Sequence, residues 1–187
     1  MIAYGPDDLR DALEALEDGT LAATEYEVAR AVVIAATLAD RTVATAESLT
    51  AGLIASTIAS VPGASAVLRG GIIAYASDLK VSLLDVPSAI IARGGAVQPS
   101  VAEAMAAGAL ERTGADYALA CTGVAGPDPQ DDHPVGEVHV AIASRGSVRT
   151  HSLTLAGSRD DIRHGTVLVV LGMLLDALLP LVDLPAR

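Results

Sequence analysis

The chain has 187 residues, a length typical of one domain, and a formal net charge of −11 at pH 7. This charge argues against binding to nucleic-acid backbones or anionic membranes, and an aromatic content of 2% argues against a base-stacking surface. The single Cys121 excludes a disulfide within the chain, and no signal peptide is recognisable, so we expect a soluble cytoplasmic protein.

Helices and strands are predicted to alternate along the first half. Residues 1–24 are an acidic amphipathic segment, which we expect to be an extension of a domain spanning 25–187. Thr24 and Glu27 are spaced as a capping box for the first long helix. The pattern then predicts a strand at TVATA (42–46), a helix at SLTAGLIASTIAS (48–60), a strand at GGIIAYA (70–76) and a short helix at SDLKVSLLD (77–85). The segment AIIARGGAV (89–97) is ambiguous.

The second half of the chain is predicted to end in a hairpin and a helix. Ser100 and Glu103 are spaced as a capping box for a helix ending at Gly114, and ADYALACTG (115–123) is an apolar strand. After a Gly/Pro loop, EVHVAIAS and VRTHSLTL are predicted to form an antiparallel hairpin, and Ser158 and Asp161 to cap the last helix. This order predicts an α/β domain with a mixed sheet covered on both faces.

Two side chains near predicted strand ends are candidates for catalysis. Ser48 either caps a helix or is a nucleophile whose oxyanion is held by the helix N–H groups. Lys80 is either a solvated helix lysine or a base whose pKa is lowered by desolvation. Ser77 and Lys80 also match the S-x-x-K pattern of serine–lysine acylases, which makes Ser77 a rival nucleophile.

Other reactive side chains have simpler interpretations. The four histidines form no recognisable triad, and strand alternation predicts that His139 and His151 lie at the surface. Cys121 is expected to be a small core residue. The acidic residues of the Gly/Pro loop are expected to be exposed rather than to bind a metal; they are Asp128, Asp131 and Asp132.

The Gly/Pro loop and the last helix offer candidates for binding an anion. Gly123 and Gly126 let backbone N–H groups approach an anion closely, although the loop is not a Walker A motif. Arg159 and Arg163 lie at the start of the last helix, where the dipole does not favour them. A bound anion would explain both arginines, and so would the neighbouring Asp160 and Asp161.

Six segments follow one another in an informative order: TAESLTAG, RGGIIAYASDLK, GAVQPSVAEAMAAGAL, ADYALACTGVAGPD, HPVGEVHVAIA and GSRDDIR. Together they resemble the C-terminal domain of the competence/damage-inducible protein CinA, also found alone as a nicotinamide-nucleotide amidohydrolase of the PncC type. The resemblance covers about residues 25–180. It implies a three-layer α/β/α domain with a mixed, mostly parallel sheet that self-associates, with a dimer favoured, and it implies no metal or cofactor.

The same resemblance implies hydrolysis of the carboxamide of nicotinamide mononucleotide to nicotinate mononucleotide and ammonia. By motif, Ser48 is the nucleophile and Lys80 the base, with Tyr75 and Thr122 as their hydrogen-bonding partners. The residues expected to shape the turn or to contact the nucleotide are Glu47, Thr50, Gly123, Ala125, Gly126, Arg159 and Arg163.

The sequence departs from the common family motifs at five positions. Leu49 and Ala51 replace the Cys and the first Gly of A-E-S-C-T-G-G. The other three stand where the family often has Asn, Ser and Lys; they are Ser77, Gln98 and His133. These changes leave two alternatives open, namely a catalytically silent interaction or regulatory protein and a serine–lysine hydrolase of another amide.

Overall fold

The computed structural model describes residues 3–17 and 25–184. Five strands form one sheet in the order β2-β1-β3-β4-β5. The strands are β1 (Val43–Glu47), β2 (Leu68–Ile73), β3 (Tyr117–Gly123), β4 (Glu137–Ser144) and β5 (Ser147–Thr154). The helices are α1 (Pro6–Glu17), α2 (Glu25–Leu38), α3 (Leu53–Ala59), α4 (Ser77–Leu84), α5 (Ser88–Gly94), α6 (Pro99–Thr113) and α7 (Arg159–Leu178).

The sheet is mixed, as the sequence predicts. Strand β1 pairs in parallel with both β2 and β3, whereas β3–β4 and β4–β5 are antiparallel pairs. Four of the five strands therefore run in the same direction, and the antiparallel β4–β5 hairpin lies at one edge. The parallel strands β2, β1 and β3 bring their C-terminal ends to one edge of the sheet, where sheets of this class bind ligands.

Helices cover both faces of the sheet, which confirms the three-layer prediction. Helices α2, α3 and α7 cover one face, and α4 and α6 cover the other. Strand β3 is apolar on both sides, because its side chains alternate: Leu119 and Cys121 pack against the first layer of helices, and Ala118 and Ala120 pack against the second. Small strand residues let α6 lie close, and a Cβ at Gly108 of α6 would come within 1.9 Å of the Leu84 carbonyl oxygen of α4.

Helix α1, from the acidic extension, packs onto the domain. Leu9 and Ala12 are buried in the same core as α2, and the Tyr4 hydroxyl donates to the Pro62 carbonyl at 2.6 Å. Helix α1 is therefore an additional helix on the α2 side of the sheet. Thr24, and with it the predicted capping box, lies outside the described residues.

Two local predictions differ from the structure, and one segment left ambiguous by the sequence is assigned by it. The helix predicted from Ser48 begins only at Leu53, because the intervening residues form turns. The capping box at Ser100 is wrong: α6 begins at Pro99 without a side-chain cap, and Glu103 instead accepts from the Thr150 hydroxyl at 2.6 Å. The ambiguous segment after Pro87 is helix α5.

Helix α7 is the long helix of the core. Its predicted capping box is confirmed, since Ser158 accepts from the Asp161 amide and the Asp161 carboxylate accepts from the Ser158 amide. By length and composition alone, the stretch Arg159–Leu181 could cross a bilayer. In the structure it packs against α2 and the sheet through the buried residues Val170, Leu171 and Leu174.

Candidate active site

A cavity of about 260 Å³ opens at the edge where the parallel strands β2, β1 and β3 end. The loops that follow these strands form its walls, because parallel strands bring their exits side by side. Its lining includes most of the residues predicted to carry function. These are Ser48, Tyr75, Lys80, Thr122, Gly123, Ala125, Gly126 and Arg159.

Ser48 directly follows β1 and is the first residue of a tight turn. Its carbonyl accepts from the Ala51 amide at 3.0 Å, and its own amide donates to the Cys121 carbonyl at 3.2 Å. Only 8% of the residue is exposed, and its hydroxyl lies on the cavity wall. The turn therefore holds the Ser48 hydroxyl at the cavity while both of its own backbone groups are satisfied elsewhere.

Lys80 lies on α4, and its side chain reaches Ser48 at the cavity. Its Nζ is 3.0 Å from Ser48 Oγ, 2.8 Å from the Ala74 carbonyl oxygen and 2.9 Å from the Tyr75 carbonyl oxygen. Burial lowers the pKa of Lys80 from 10.5 to about 8. A neutral amine has two hydrogens and one lone pair, so the two carbonyls can take the hydrogens while the lone pair faces Ser48.

The rival nucleophile Ser77 is not paired with this lysine. Ser77 is exposed at the rim of the cavity, at the first position of α4. The hydrogen bonds that Lys80 Nζ makes go to Ser48 and to two backbone carbonyls. Of the two serines, the geometry therefore brings Ser48 to the lysine.

Glu47 shapes the turn from inside the core. Its carboxylate is fully buried and accepts five hydrogen bonds. The donors are the hydroxyls of Thr45 and Thr50 and the amides of Gly52, Ile54 and Ala55. The first amides of α3 are thus already occupied, so the prediction that they hold an oxyanion is wrong. The local signal for this role is an acidic side chain just before a helix, where the dipole favours it.

Glu47 and Thr50 were also expected near the substrate. Both are fully buried and neither lines the cavity. The Thr50 hydroxyl donates to Glu47 at 2.8 Å and lies 3.0 Å from Cys121 Sγ. The two residues therefore support the turn beneath Ser48 without reaching the cavity.

Ala51 occupies a position in the turn that favours glycine. Its φ is 51°, in the left-handed region, and the following Gly52 has φ of 98°. A side chain in this region costs about 1–2 kcal/mol because Cβ crowds the carbonyl oxygen. The chain nevertheless forms the turn, so the departure from the family motif here is expressed as backbone strain. The neighbouring Leu49 is 3% exposed and packs in the core.

Ala51→Gly is expected to raise the free energy of unfolding by about 0.5–1 kcal/mol. The relief of about 1–2 kcal/mol of strain exceeds the extra unfolded-state entropy of glycine, about 0.4–1 kcal/mol. Urea-induced unfolding measures the difference. Ala55→Gly, inside α3 with ordinary helical geometry, is the control and should lower stability by about 0.5–1 kcal/mol. A loss of stability in both variants would contradict strain at Ala51.

Tyr75, Thr122 and Arg159 line the cavity but are joined to other partners. The Arg159 guanidinium donates to the Gly126 carbonyl at 2.6 Å and to the Tyr75 hydroxyl at 3.0 Å. The Thr122 hydroxyl donates to the Ala96 carbonyl at 2.8 Å. Among the described contacts, neither the Tyr75 nor the Thr122 hydroxyl bonds Ser48 or Lys80. Tyr75 reaches Lys80 through its backbone carbonyl.

The glycine loop that follows β3 forms part of the cavity wall. The Val124 amide donates to the Glu137 carbonyl and the Gly136 amide to the Val124 carbonyl, so the loop is anchored to the start of β4. A Cβ at Gly123 would come within 2.6 Å of the Glu137 carbonyl oxygen, so glycine is needed there for close strand approach. Gly123, Ala125 and Gly126 all line the cavity, as their predicted role requires.

Arg163 does not line this cavity, contrary to its predicted role beside Arg159. Its Nε donates to the Leu49 carbonyl at 3.1 Å and its Nη2 to the Thr50 carbonyl at 3.0 Å. Its Nη1 lies 3.3 Å from the Asp160 carboxylate. Local sequence could not reveal this arrangement, because Arg163 and Leu49 are 114 positions apart.

The histidine and cysteine predictions have different outcomes. The prediction that His139 lies at the surface is wrong: it is 5% exposed and is bonded to Glu137 at 3.1 Å and to Ser152 at 2.9 Å. Alternation fails because β4 is an interior strand covered on both faces. His151, on the edge strand β5, is exposed as predicted.

Burial raises the pKa of Cys121 to about 11, so its thiol is neutral while Lys80 titrates.

A second, more open cavity of about 740 Å³ adjoins the first, and Ser77 and Ala96 line both. Three of the five departures from the family motifs line this outer cavity; they are Ser77, Gln98 and His133. The Gln98 amide donates to the carbonyls of Ile90 and Gly95, which fixes the end of α5. Residues 3–17 and 25–184 contain no group of three or more His, Cys, Asp or Glu that could hold a metal ion.

Comparison with protein families gives one match that spans most of the chain. The family model described as the CinA C-terminal domain matches residues 25–178. A CinA-like protein of Frankia casuarinae is 48% identical over 132 residues, which are 71% of this chain and 30% of that protein. A CinA-like protein of Mycolicibacterium gilvum is 47% identical over 147 residues, 78% of this chain and 35% of that protein. The chain thus spans about a third of the length of these relatives.

Solved structures of similar chains have the same fold. A competence/damage-inducible protein from Agrobacterium tumefaciens is 39% identical with a TM-score of 0.79, covering 81% of this chain and 94% of that one. A competence-damaged (CinA) superfamily protein from Klebsiella pneumoniae is 26% identical with a TM-score of 0.81, covering 84% of this chain and 99% of that one.

Proposed function

The chain belongs to the CinA C-terminal domain family, and from that premise we propose that it is a serine–lysine amidohydrolase that converts nicotinamide mononucleotide to nicotinate mononucleotide and ammonia. The observation that carries this proposal is the 3.0 Å contact between Lys80 Nζ and Ser48 Oγ inside a cavity. A buried lysine with a pKa of about 8 is a competent base near neutral pH.

The proposed reaction is acyl transfer through Ser48. Neutral Lys80 takes the Ser48 proton as Oγ attacks the carboxamide carbon and forms a tetrahedral intermediate. The C–N bond then breaks, and the departing nitrogen takes the proton from Lys80 and leaves as ammonia. Water, deprotonated by the same lysine, attacks the resulting ester, and the carboxylic acid and free Ser48 are released.

A nucleotide substrate fits the charges around the cavity. The protein as a whole is strongly acidic, so an anionic substrate needs local cations and backbone donors. Arg159 and the glycine loop supply such groups at the wall formed by Gly123 and Gly126, where a substrate phosphate can bind. A cytoplasmic location and a homodimer form part of this proposal, and no cofactor or metal takes part in it.

A second candidate is a serine–lysine hydrolase of a different amide. It is favoured by one observation, namely that Ser77, Gln98 and His133 all line the outer cavity. A substrate longer than the inner cavity would contact these residues, so changes there alter recognition of its distal part. The inner pair of Ser48 and Lys80 is common to both candidates.

The deciding experiment measures ammonia released by the purified protein from nicotinamide mononucleotide, with the product identified by mass. Two matched substrates serve as controls. Nicotinamide riboside lacks the phosphate, and nicotinamide lacks the whole ribose phosphate. We expect release from the mononucleotide and at least about tenfold lower kcat/KM for the riboside, since losing a charged contact costs about 1.5–3 kcal/mol. Release from another amide, but not from the mononucleotide, would favour the second candidate.

A further inference from the structure

The turn that carries Ser48 is held from two opposite sides by charged side chains. From the core, the Glu47 carboxylate accepts from the Thr50 hydroxyl and the Gly52 amide. From α7, the Arg163 guanidinium donates to the carbonyls of Leu49 and Thr50. Hydrogen-bond donors of the turn thus bind the Glu47 carboxylate, and two successive carbonyl oxygens of the turn bind the Arg163 guanidinium.

The amides of this turn have different partners. The Ser48 amide donates to the Cys121 carbonyl and the Ala51 amide to the Ser48 carbonyl. The Thr50 amide lies beside the buried Cys121 thiol, whose pKa it lowers, and so faces the core. For the Leu49 amide, no acceptor occurs among residues 3–17 and 25–184. Among the four amides of the turn, that of Leu49 is therefore the one available to a ligand.

The direction of the Leu49 amide follows from the turn. The Ser48–Leu49 peptide is trans, so its N–H points away from its carbonyl. That carbonyl is turned inward to the Ala51 amide, and Leu49 itself lines the cavity beside Ser48. An N–H on the residue after a serine nucleophile is well placed to stabilise the oxyanion that forms there.

We propose that the Leu49 amide is the oxyanion donor of the site and that Arg163 is the positioning residue that fixes its orientation. This inference rests on the proposed function of Ser48 as a nucleophile. Arg163 binds the carbonyl oxygens of Leu49 and Thr50. These oxygens belong to the two peptide groups that follow the Ser48–Leu49 peptide, so Arg163 fixes both of those groups. Its planar guanidinium reaches both carbonyls with Nε and Nη2, which the single ammonium of a lysine cannot reproduce.

The position of Arg163 separates this role from substrate binding. Arg163 is absent from the lining of both cavities, and two of its nitrogens are already committed to the turn. Its remaining contact, to Asp160, is at the surface, where the Asp160 side chain is 77% exposed. Such an exposed ion pair contributes little, so Asp160 offers a matched control.

The test compares Arg163→Lys with Asp160→Asn in two assays. The first measures kcat and KM for ammonia release from nicotinamide mononucleotide. The second measures the rate at which an alkyl fluorophosphonate labels Ser48, which needs no natural substrate. In that reaction a Ser48 Oγ–P bond forms, the P–F bond breaks with loss of fluoride, and the serine proton passes to Lys80.

For Arg163→Lys we expect kcat and the labelling rate to fall by about 10–100-fold, with KM changed less than about twofold. Asp160→Asn should retain both rates. Unchanged rates in Arg163→Lys, equal losses in both variants, or a rise in KM with kcat unchanged would overturn the inference. If Arg163→Lys does not fold, Arg163→Ala is assayed with and without millimolar guanidinium, and failure of the added cation to restore labelling would overturn it as well.

The two assays separate this inference from the proposed function. A wild type that is labelled at Ser48 but releases no ammonia from the mononucleotide refutes the proposed substrate, and the labelling rates still decide the role of Arg163. A folded wild type that is not labelled refutes an activated Ser48 and overturns the inference with it.

Discussion

Ser48→Ala is expected to abolish ammonia release, with kcat/KM lower by about four to six orders of magnitude. The proposed mechanism needs Oγ to form the acyl-enzyme, and alanine leaves Lys80 without the atom it deprotonates. The fold should persist, because the Glu47 and Arg163 contacts with the turn do not involve the Ser48 side chain. A sensitive assay of ammonia release, together with a thermal unfolding curve, measures both effects.

Ser77→Ala is the matched control for this prediction. Ser77 is a serine at the rim of the same cavity, and its sequence spacing to Lys80 also fits a serine–lysine pair. We expect it to retain kcat within about threefold, since Lys80 Nζ bonds Ser48 instead. Loss of turnover in Ser77→Ala with activity retained in Ser48→Ala would reverse the assignment of the nucleophile.

Lys80→Met is expected to lower kcat/KM by about 10³–10⁴-fold, near the upper range for loss of general acid–base catalysis. Methionine keeps much of the side-chain volume but cannot take the Ser48 proton. It also leaves the carbonyls of Ala74 and Tyr75 without their donor, so some loss of stability accompanies the loss of rate. Thermal unfolding of the variant identifies the part of the effect that comes from folding.

The pH dependence of the wild type tests the same residue without a mutation. Burial lowers the pKa of Lys80 to about 8, and the base is the neutral form, so activity should rise with pH. At pH 7 about a tenth of Lys80 is neutral, so kcat/KM should increase about tenfold as the pH rises through 8 and then level off. The Cys121 thiol, with a pKa of about 11, stays neutral in this window. Activity that falls over this range would contradict a lysine base.

Most of the secondary structure was predictable from local sequence. The apolar strand that ends at Gly123, the hairpin of β4 and β5, and the capping box at Ser158 each depend on neighbouring residues, and all three are confirmed. The family and the α/β/α architecture could also be recognised, because six short motifs keep their order along the chain. Boundaries were less predictable where an unusual backbone conformation intervenes, as Ala51 and Gly52 delay the start of α3.

The candidate site was predictable in its residues but not in their contacts. Ser48 and Lys80 could be named from their motifs, yet their 3.0 Å contact depends on how α4 packs beside β1. In the same way, sequence placed Glu47 and Arg163 near a substrate, and the structure assigns both to the turn. Each side chain has several possible hydrogen-bonding partners, and local pattern does not choose between them.

The sequence by itself therefore determined the order of the elements, the class of the fold and the choice of Ser48 and Lys80 as the proposed pair, because periodicity, capping residues and motifs act over a few positions. Only the tertiary structure decided which groups meet at the cavity, which amides remain available and which charges serve the backbone. The physical reason is chain separation: Arg163 and Leu49 meet across 114 positions, and Lys80 and Ser48 across 32. Such contacts arise when strands and helices pack, and burial at that stage also sets the pKa of Lys80.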